Sequence, residues 1–485
     1  MASTFFGLTI AYSGLQAANT SLTITGHNVS NINTKGYTKQ QAGTQAADAL
    51  RTHTTYGAIG SGVVVTEISQ IRDSYYDVKY RNNMANYGQY SVKESYMGQI
   101  EDYLDEFTLN GYSQEYKNFF SAVNQLTITP GDTSAKNQLI NNAKSLADYF
   151  NTLTTNLRNV QADANNEIKD AVQQINSYAK NIAALNRQIN QIEANYGNAN
   201  DLRDKRNAMI DELSEIVNLE TSEEDMGNNV SNFSVRINGQ TLVSSYSYNT
   251  LETVARTDKK NYSDAEGLYD VQWNSGQKFD MYSTSLSGHL KGLIDIRDGN
   301  NGEHENIETD DDGNNVTDSD GNLVLTTAPA ADKTVSYKGV PYYQAQLNEF
   351  AKIFSDAVNK IMKSGYTSDG SSKGISLFVT QPNTTVMSAG NITVNPELLK
   401  NADLLAIKKE QNDGESDAKI MEELNKLQSE KIFAGGTGSY FLESIVSDMS
   451  IDSQKAVNLY KNYTDLKTSI HNQRLSIMGV DTDEE

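Results

Sequence analysis

The chain of 485 residues contains no cysteine, one tryptophan and five prolines. Without cysteine there are no disulfides, thiolate zinc sites, iron–sulfur ligands or cysteine nucleophiles. Positive charge is also scarce: 40 Lys and Arg stand against 62 Asp and Glu, a formal charge of −22. Neutralising phosphates takes clustered Lys and Arg, so this balance argues against general nucleic-acid affinity. No run approaches the roughly 18–20 apolar residues of a membrane span. The stretch from Met1 to Ile10 lacks the basic start, long apolar run and small-residue cleavage site of a secretory signal peptide. Taken alone, that absence points to the cytoplasm. Hydrophobic residues make up only 37% and mean hydropathy is −0.57, low for a chain long enough to form roughly two to four domains. An extended architecture is expected, with burial between long helices or between subunits.

Motifs that carry chemistry are missing too. His27, His53, His289, His304 and His471 form no helical His pair. There is no His-Glu-x-x-His, Gly-x-Ser-x-Gly or Walker-type loop. Asp310-Asp-Asp-Gly313 and Asp318-Ser-Asp-Gly321 tempt a calcium reading but fail its spacing. With Gly313 at the turn position the twelfth ligand is Ser319, and with Gly321 there the first and last are Val316 and Thr327. They read as acidic surface turns, and Glu303-His304-Glu305 reads as a solvated loop. No catalytic residue, metal ligand or cofactor is expected.

What is present is periodicity. Thr129-Pro130-Gly131-Asp132 reads as a turn with Asp132 or Thr133 as helix N-cap. Beyond it Leu146, Phe150, Leu153, Leu157, Val160, Ala164, Ile168, Val172, Ile175, Ala179, Ile182, Leu185, Ile189, Ile192 and Tyr196 recur in steps of three or four, the seam of a long coiled-coil helix. At 1.5 Å per residue, about 60 residues span ~90 Å, a rod too long for an ordinary core to cover. Gly197-Asn-Ala-Asn200 ends it, and a short charged helix follows to Val217. Alternation around Asn238-Gly239 predicts a hairpin within a small β region holding Trp273. Residues 298–338 are acidic and poor in apolar side chains. Helix resumes near Pro341, starts again at Asn395-Pro396, and ends with a seam of Leu442, Ile445, Met449, Ala456, Leu459, Tyr463, Leu466, Ile470 and Ile477, closed by Gly479. This last helix is expected to pair antiparallel with the 134–196 helix. The predicted class is α+β: a long helical coiled-coil bundle built from both chain ends, with a β-rich domain inserted in the middle. Its parts are 1–37 (terminal helix and joint), 38–220 (helical rod), 221–340 (β-rich outer domain with the acidic insertion), 341–434 (mixed helix and strand) and 435–485 (helical rod, C-terminal helix).

The first thirty residues carry a narrow seam of Phe5, Leu8, Tyr12, Leu15, Asn19, Leu22, Gly26 and Val29. One reading is a helix capping the bundle. The other is an assembly seam, because Gly14, Gly26 and many Thr make the helix marginal alone and dependent on a partner.

Directly after that seam stand Asn28, Asn31, Thr34, Gly36 and Tyr37, spaced Asn-x-x-Asn-x-x-Thr-x-Gly-Tyr. This pattern resembles the signature of bacterial flagellar rod, hook and hook-associated axial proteins, with Ser30 where Ala is more usual. Phe119-Phe-Ser-Ala-Val-Asn124, Asn200-Asp-Leu-Arg-Asp-Lys-Arg206 with Asp211-Glu-Leu213, Gly292-Leu-Ile-Asp-Ile-Arg-Asp298, Gly365-Tyr-Thr-Ser-Asp-Gly370, Ile392-Thr-Val-Asn-Pro396 and Gln428-Ser-Glu-Lys431 narrow the resemblance to the hook-associated protein 1 family of the hook–filament junction. The resemblance implies a non-enzymatic structural protein, exported by the type III route without a cleaved signal peptide, extracellular, and packed as a ring of subunits. It implies as partners other copies of the chain, the hook protein, the second junction protein and an export chaperone, with no nucleic acid or membrane. It also implies a further terminal helix beyond Gly479-Val-Asp-Thr-Asp-Glu-Glu485, on the order of 40 residues or about 60 Å. The chain is therefore expected to be truncated, its first helix mobile and short of a partner, and the usual chaperone site missing. A hook or distal-rod protein is the nearest rival. An enzyme on an axial scaffold would need a catalytic constellation in 221–400, and an adhesin or phage-tail coiled coil would not carry the signature.

Overall fold

From the N-terminus, α1 (Phe6–Ser30) leads into an antiparallel hairpin of β1 (Gln40–Ala46) and β2 (Val63–Gln70). Four helices follow: α2 (Ser74–Leu104), α3 (Tyr112–Ile128), α4 (Thr133–Glu193) and α5 (Asn200–Ile216). β3 (Glu220–Asp225), β4 (Ser231–Ile237), β5 (Gln240–Ser244) and β6 (Ser247–Tyr248) form one antiparallel sheet in sequence order, beside a ladder of β7 (Leu251–Ala255) and β8 (Tyr269–Trp273). The return half holds α6 (His289–Asp298), α7 (Val340–Ser364), β9 (Tyr366–Thr367), β10 (Phe378–Thr380), β11 (Ile392–Val394), α8 (Pro396–Lys400), β12 (Ala406–Lys408), α9 (Lys419–Lys426) and α10 (Gly438–Met478). The structure, a computed structural model, describes residues 5–51, 58–104, 111–301, 306–307, 325–326, 335–382, 384–414, 416–433, 436–481 and 483. The acidic loops at 310–313 and 318–321 and the Glu303–Glu305 stretch lie outside the described residues.

α4 has 61 residues and is capped by the Asp132 carboxylate, which accepts from the Ser134 amide at 2.8 Å. Leu153, Leu157, Ile168, Val172, Ile175, Ile182, Leu185 and Ile189 are all buried along it. α3, α5, α6 and α7 pack around α4, and β7 lies against it. Val235, Leu242, Val243, Leu251, Val271 and Trp273 of the sheet region belong to the same continuous core. Carboxamides on α4 tie the strands down. Asn176 exchanges two hydrogen bonds with the Leu251 backbone, both 2.8 Å, and Asn190 does the same with Ser231 at 2.7 and 3.1 Å. Gln161 and Asn165 accept from the Ala265 and Tyr269 amides at 2.8 Å. A rod helix that holds strands through Asn and Gln needs fewer aliphatic residues, which accounts for part of the low hydropathy.

Two expectations are corrected. α10 packs on α2, with further contacts to α7 and α3, and α4 is not its principal neighbour. The reason lies in α2, whose contacts with α10 run through tyrosines, although Val92, Met97, Ile100 and Leu104 of the same helix are buried in the core. Tyr90 stacks on Tyr463 with centroids 5.3 Å apart, Tyr87 meets Tyr460 at 5.5 Å, and Lys467 lies 3.8 Å over the Tyr87 ring. The expected α10 core accordingly holds only in part. Leu442, Ile445, Met449, Ala456 and Ile470 are buried, Leu459 and Tyr463 are half-buried, and Leu466 is 48% exposed. Gln40–Ala46 and Val63–Gln70, placed within the helical rod, instead pair as the antiparallel strands β1 and β2.

Candidate assembly site: the terminal helix and its joint

α1 has two seams on different sides. Ala17, Ile24 and Asn28 are buried, and β1 and β2 pack along α1. Ser13 Oγ accepts from the Val63 amide at 3.2 Å. The approach is close enough that a β-carbon at Gly62, whose φ is +116°, would stand 2.1 Å from that oxygen. The expected seam lies elsewhere on the helix: Phe5, Leu8, Tyr12, Leu15, Leu22 and Val29 are all exposed, Phe5 by 69% and Leu22 by 70%. The hairpin thus carries α1 while leaving a row of large apolar side chains uncovered, a surface of the kind that marks a protein interface.

The signature residues converge where α1 ends. Buried Asn28 accepts from the Gln40 amide and donates to the Gln40 carbonyl, both at 3.0 Å. Tyr37 donates its hydroxyl to Asn28 Oδ1 at 2.8 Å and stands 2.9 Å from His27 Nδ1. Asn31 donates to the His27 carbonyl at 3.0 Å and accepts from the Thr34 hydroxyl at 3.1 Å. Gly36 takes φ +80°, and a β-carbon there would come within 2.9 Å of Ala208 Cβ. The positive φ and the close approach both call for glycine. The joint is then pinned to α5: Thr38 donates its amide and hydroxyl to Asp204 at 2.9 and 2.7 Å, and Gln40 donates to Asp201 at 3.0 Å. The Lys39 amide reaches the Met478 carbonyl at 2.9 Å, tying in the end of α10.

Beneath the joint runs a chain of buried ion pairs that the sequence did not reveal. Asp204 faces Arg72 at 3.4 Å, and Arg72 binds Asp77 at 2.6 Å. Arg474 bridges Asp77 at 2.8 Å and Asp211 at 2.6 Å, and Asp211 also takes Arg81 at 2.8 Å. Burial pushes the Asp204 carboxyl up against the opposing pull of the Thr38 donors and Arg72. Burial alone would lower Arg474, but Asp211 and Asp77 outweigh it and hold the guanidinium charged. Beside this chain, burial brings Arg206 down to about 10 although Glu223 acts the other way. Arg206 lies 3.8 Å over the Phe233 ring and 3.1 Å from Asn186 Oδ1. Partners such as Asp77 and Arg474 are hundreds of residues apart, so no local pattern marks them. The only sequence signal was the charge density of the 200–213 stretch.

An elongated helical bundle with an inserted antiparallel sheet, a pinned N-terminal helix and an open apolar seam defines an assembly subunit. Comparisons with known proteins give its family. Residues 97–378 match the flagellar hook-associated protein FlgK helical domain. Flagellar hook-associated protein 1 of Bacillus subtilis is 26% identical, over 99% of this chain and 92% of that protein, and its namesake in Salmonella typhimurium is 27% identical over 98% and 93%. The solved structure of the flagellar hook junction protein FlgK from Burkholderia pseudomallei shares the fold, with a TM-score of 0.62 and 15% identity, covering 82% of this chain and all of that one. The chain belongs to the flagellar hook-associated protein FlgK family, and it is a structural protein of the hook–filament junction. Among the described residues no helix is long and apolar enough to cross a membrane.

Proposed function

We propose that the chain is a non-enzymatic mechanical adaptor, packed as a ring between hook and filament through the exposed seam of Phe5, Leu8, Tyr12, Leu15, Leu22 and Val29. The observation that carries this reading is the continuous exposure of that seam on a helix already held by its other side. Burying a large apolar side chain yields about 1.5–3 kcal/mol, so six of them supply a strong drive for helix packing. Asn28, Asn31, Thr34, Gly36 and Tyr37 fix the angle at which α1 leaves the rod, while the α4 seam and its neighbours keep the lever stiff. The five segments from 1–37 to 435–485 act as terminal arm, rod, outer part and return. Hook protein on one side and the second junction protein on the other are its neighbours. Export follows the type III route without signal cleavage.

The test is incorporation. Leu15→Asp and Leu22→Asp put charges on the open seam and touch neither the hairpin nor the rod. The purified variant is expected to melt as the unaltered protein does and to leave cells lacking the native copy non-motile. Restored swimming by the doubly substituted protein would sink the seam's role.

A further inference from the structure

The joint at the base of α1 is seated over a gap. A cavity of about 640 Å³ opens between Ile32 and Tyr37 of the joint, Tyr80 and Met84 of α2, Ala208 of α5 and Leu475 of α10. Close-packed interiors leave few voids of that size, so side-chain packing alone does not seat the joint. What ties the walls together is the ion-pair chain Asp204–Arg72–Asp77–Arg474–Asp211–Arg81. Carboxylates and guanidinium groups alternate along it, three of each, so its charges cancel.

Within that chain Arg474 holds a place no other member shares. Asp204 and Asp211 belong to α5, Asp77 and Arg81 to α2, and Arg72 to the turn before α2; only Arg474 comes from α10. One of its terminal nitrogens donates to Asp211 at 2.6 Å, the other meets Asp77 at 2.8 Å, and the guanidinium lies 5.0 Å over the Tyr80 ring. The residue is only 9% exposed, so water and salt screen these pairs little. One turn further on, the Met478 carbonyl accepts from the Lys39 amide at 2.9 Å. Lys39 lies between Thr38, which Asp204 holds, and Gln40, which Asn28 and Asp201 hold. The segment that leads from the arm to the rod thus rests on α5 and on the last turn of α10, and Arg474 binds the second support to the first. Without it the chain falls into two pieces, Asp204–Arg72–Asp77 and Asp211–Arg81.

We propose that Arg474 is the positioning residue of the terminal arm: by bridging Asp77 and Asp211 it fixes the last turn of α10 and, through the Met478 carbonyl, the angle at which α1 leaves the rod. The inference rests on the junction reading, in which a fixed arm presents the seam. Spanning carboxylates from two helices takes the planar fork of arginine. A lysine ammonium keeps the charge and loses the two-armed geometry.

The absence of cysteine makes the test clean. Gln16→Cys on α1 and Lys180→Cys on α4, both exposed positions, give the full chain two spin-label sites and no others. With Arg474 in place, one narrow distance between the labels is expected. Arg474→Met is expected to broaden it and to speed exchange of the Lys39 amide on the order of a hundredfold, the equilibrium change that follows loss of one partner from a buried ion pair. Arg474→Lys keeps the charge and with it the fold, so Trp273 fluorescence and far-ultraviolet circular dichroism should stay unchanged while the distance still broadens. Lys79→Ala, which removes a different α2–α10 contact, the 3.0 Å hydrogen bond to Gln473, should leave the distance narrow. A narrow distance in Arg474→Lys, or equal broadening in Lys79→Ala, overturns the positioning role. These distances are read on the unassembled chain. Restored swimming by the Leu15→Asp, Leu22→Asp protein would therefore remove the seam from the junction reading and leave Arg474 in its role.

Discussion

At the scale of single residues, Asn28 does the work of a strand: one carboxamide satisfies both the amide and the carbonyl of Gln40. Replacing it with alanine leaves two backbone groups without their partner, at about 1–3 kcal/mol for each buried group left unpaired. Asn28→Ala is therefore expected to lower the thermal midpoint by several degrees and to speed exchange of the Gln40 amide. Leu157 and its neighbours in α4 should keep their protection; equal loosening there would place Asn28 in the general core. This joint was legible in the sequence through its resemblance to the axial-protein signature, and part of its chemistry is local, with Thr34 bonding Asn31 and Gly36 in a turn. Its anchors were not. Asp204, Arg72, Asp77 and Arg474 meet only after the chain has folded, and no spacing rule links charges so distant in sequence.

At the scale of elements, periodicity found α4 because its seam is aliphatic, and it missed the α2–α10 pairing because tyrosines make the contacts there. The same bias misjudged the lower half of α10, where Leu466 fits a heptad yet stays exposed while Tyr463 stacks on Tyr90. The two views give opposite rankings. Leu466→Ala is expected to change unfolding free energy by less than about 0.5 kcal/mol. A double-mutant cycle between Tyr90→Ala and Tyr463→Ala should return a coupling of about 0.5–1.5 kcal/mol. Urea unfolding of the cycle's four proteins and of Leu466→Ala measures both. A larger effect at Leu466 than at Tyr463 would restore the aliphatic seam as the basis of this pairing. Antiparallel pairing of α10 was anticipated; its partner was not, since the tyrosine contacts through which α2 meets it give no aliphatic repeat to align against.

At the scale of the whole molecule, the sequence pointed to a β domain set apart from a helical rod, whereas one core runs through both. Asp298 stands at their meeting point. Its carboxylate binds Arg256 at 2.7 Å and Arg297 at 2.6 Å, while Arg297 also reaches Asn165 of α4 at 2.9 Å and the Tyr269 carbonyl of β8 at 2.7 Å. Burial alone would raise Asp298, but the two guanidinium groups outweigh it and hold the carboxyl well below the ordinary range. A carboxyl depressed in this way contributes stability that is present above its unfolded value, about 3.9, and is lost as pH falls toward the folded one. Asp264 works against it, because burial and the neighbouring Asp298 raise its carboxyl; its contribution is present below about 3.9 and fades as pH rises through its folded value. Removing Asp298 isolates the first effect. Asp298→Asn leaves the fully buried Arg297 charge uncompensated, which costs about 3–5 kcal/mol at neutral pH, and the stability gap from the unaltered protein should narrow below pH 4. Trp273 is the only tryptophan and is buried in β8, so its fluorescence reports the strands while far-ultraviolet circular dichroism reports the helices. With a shared core, both signals should move together in urea and shift together in Asp298→Asn. An early fluorescence transition that leaves the helical signal intact would make the β region a domain of its own.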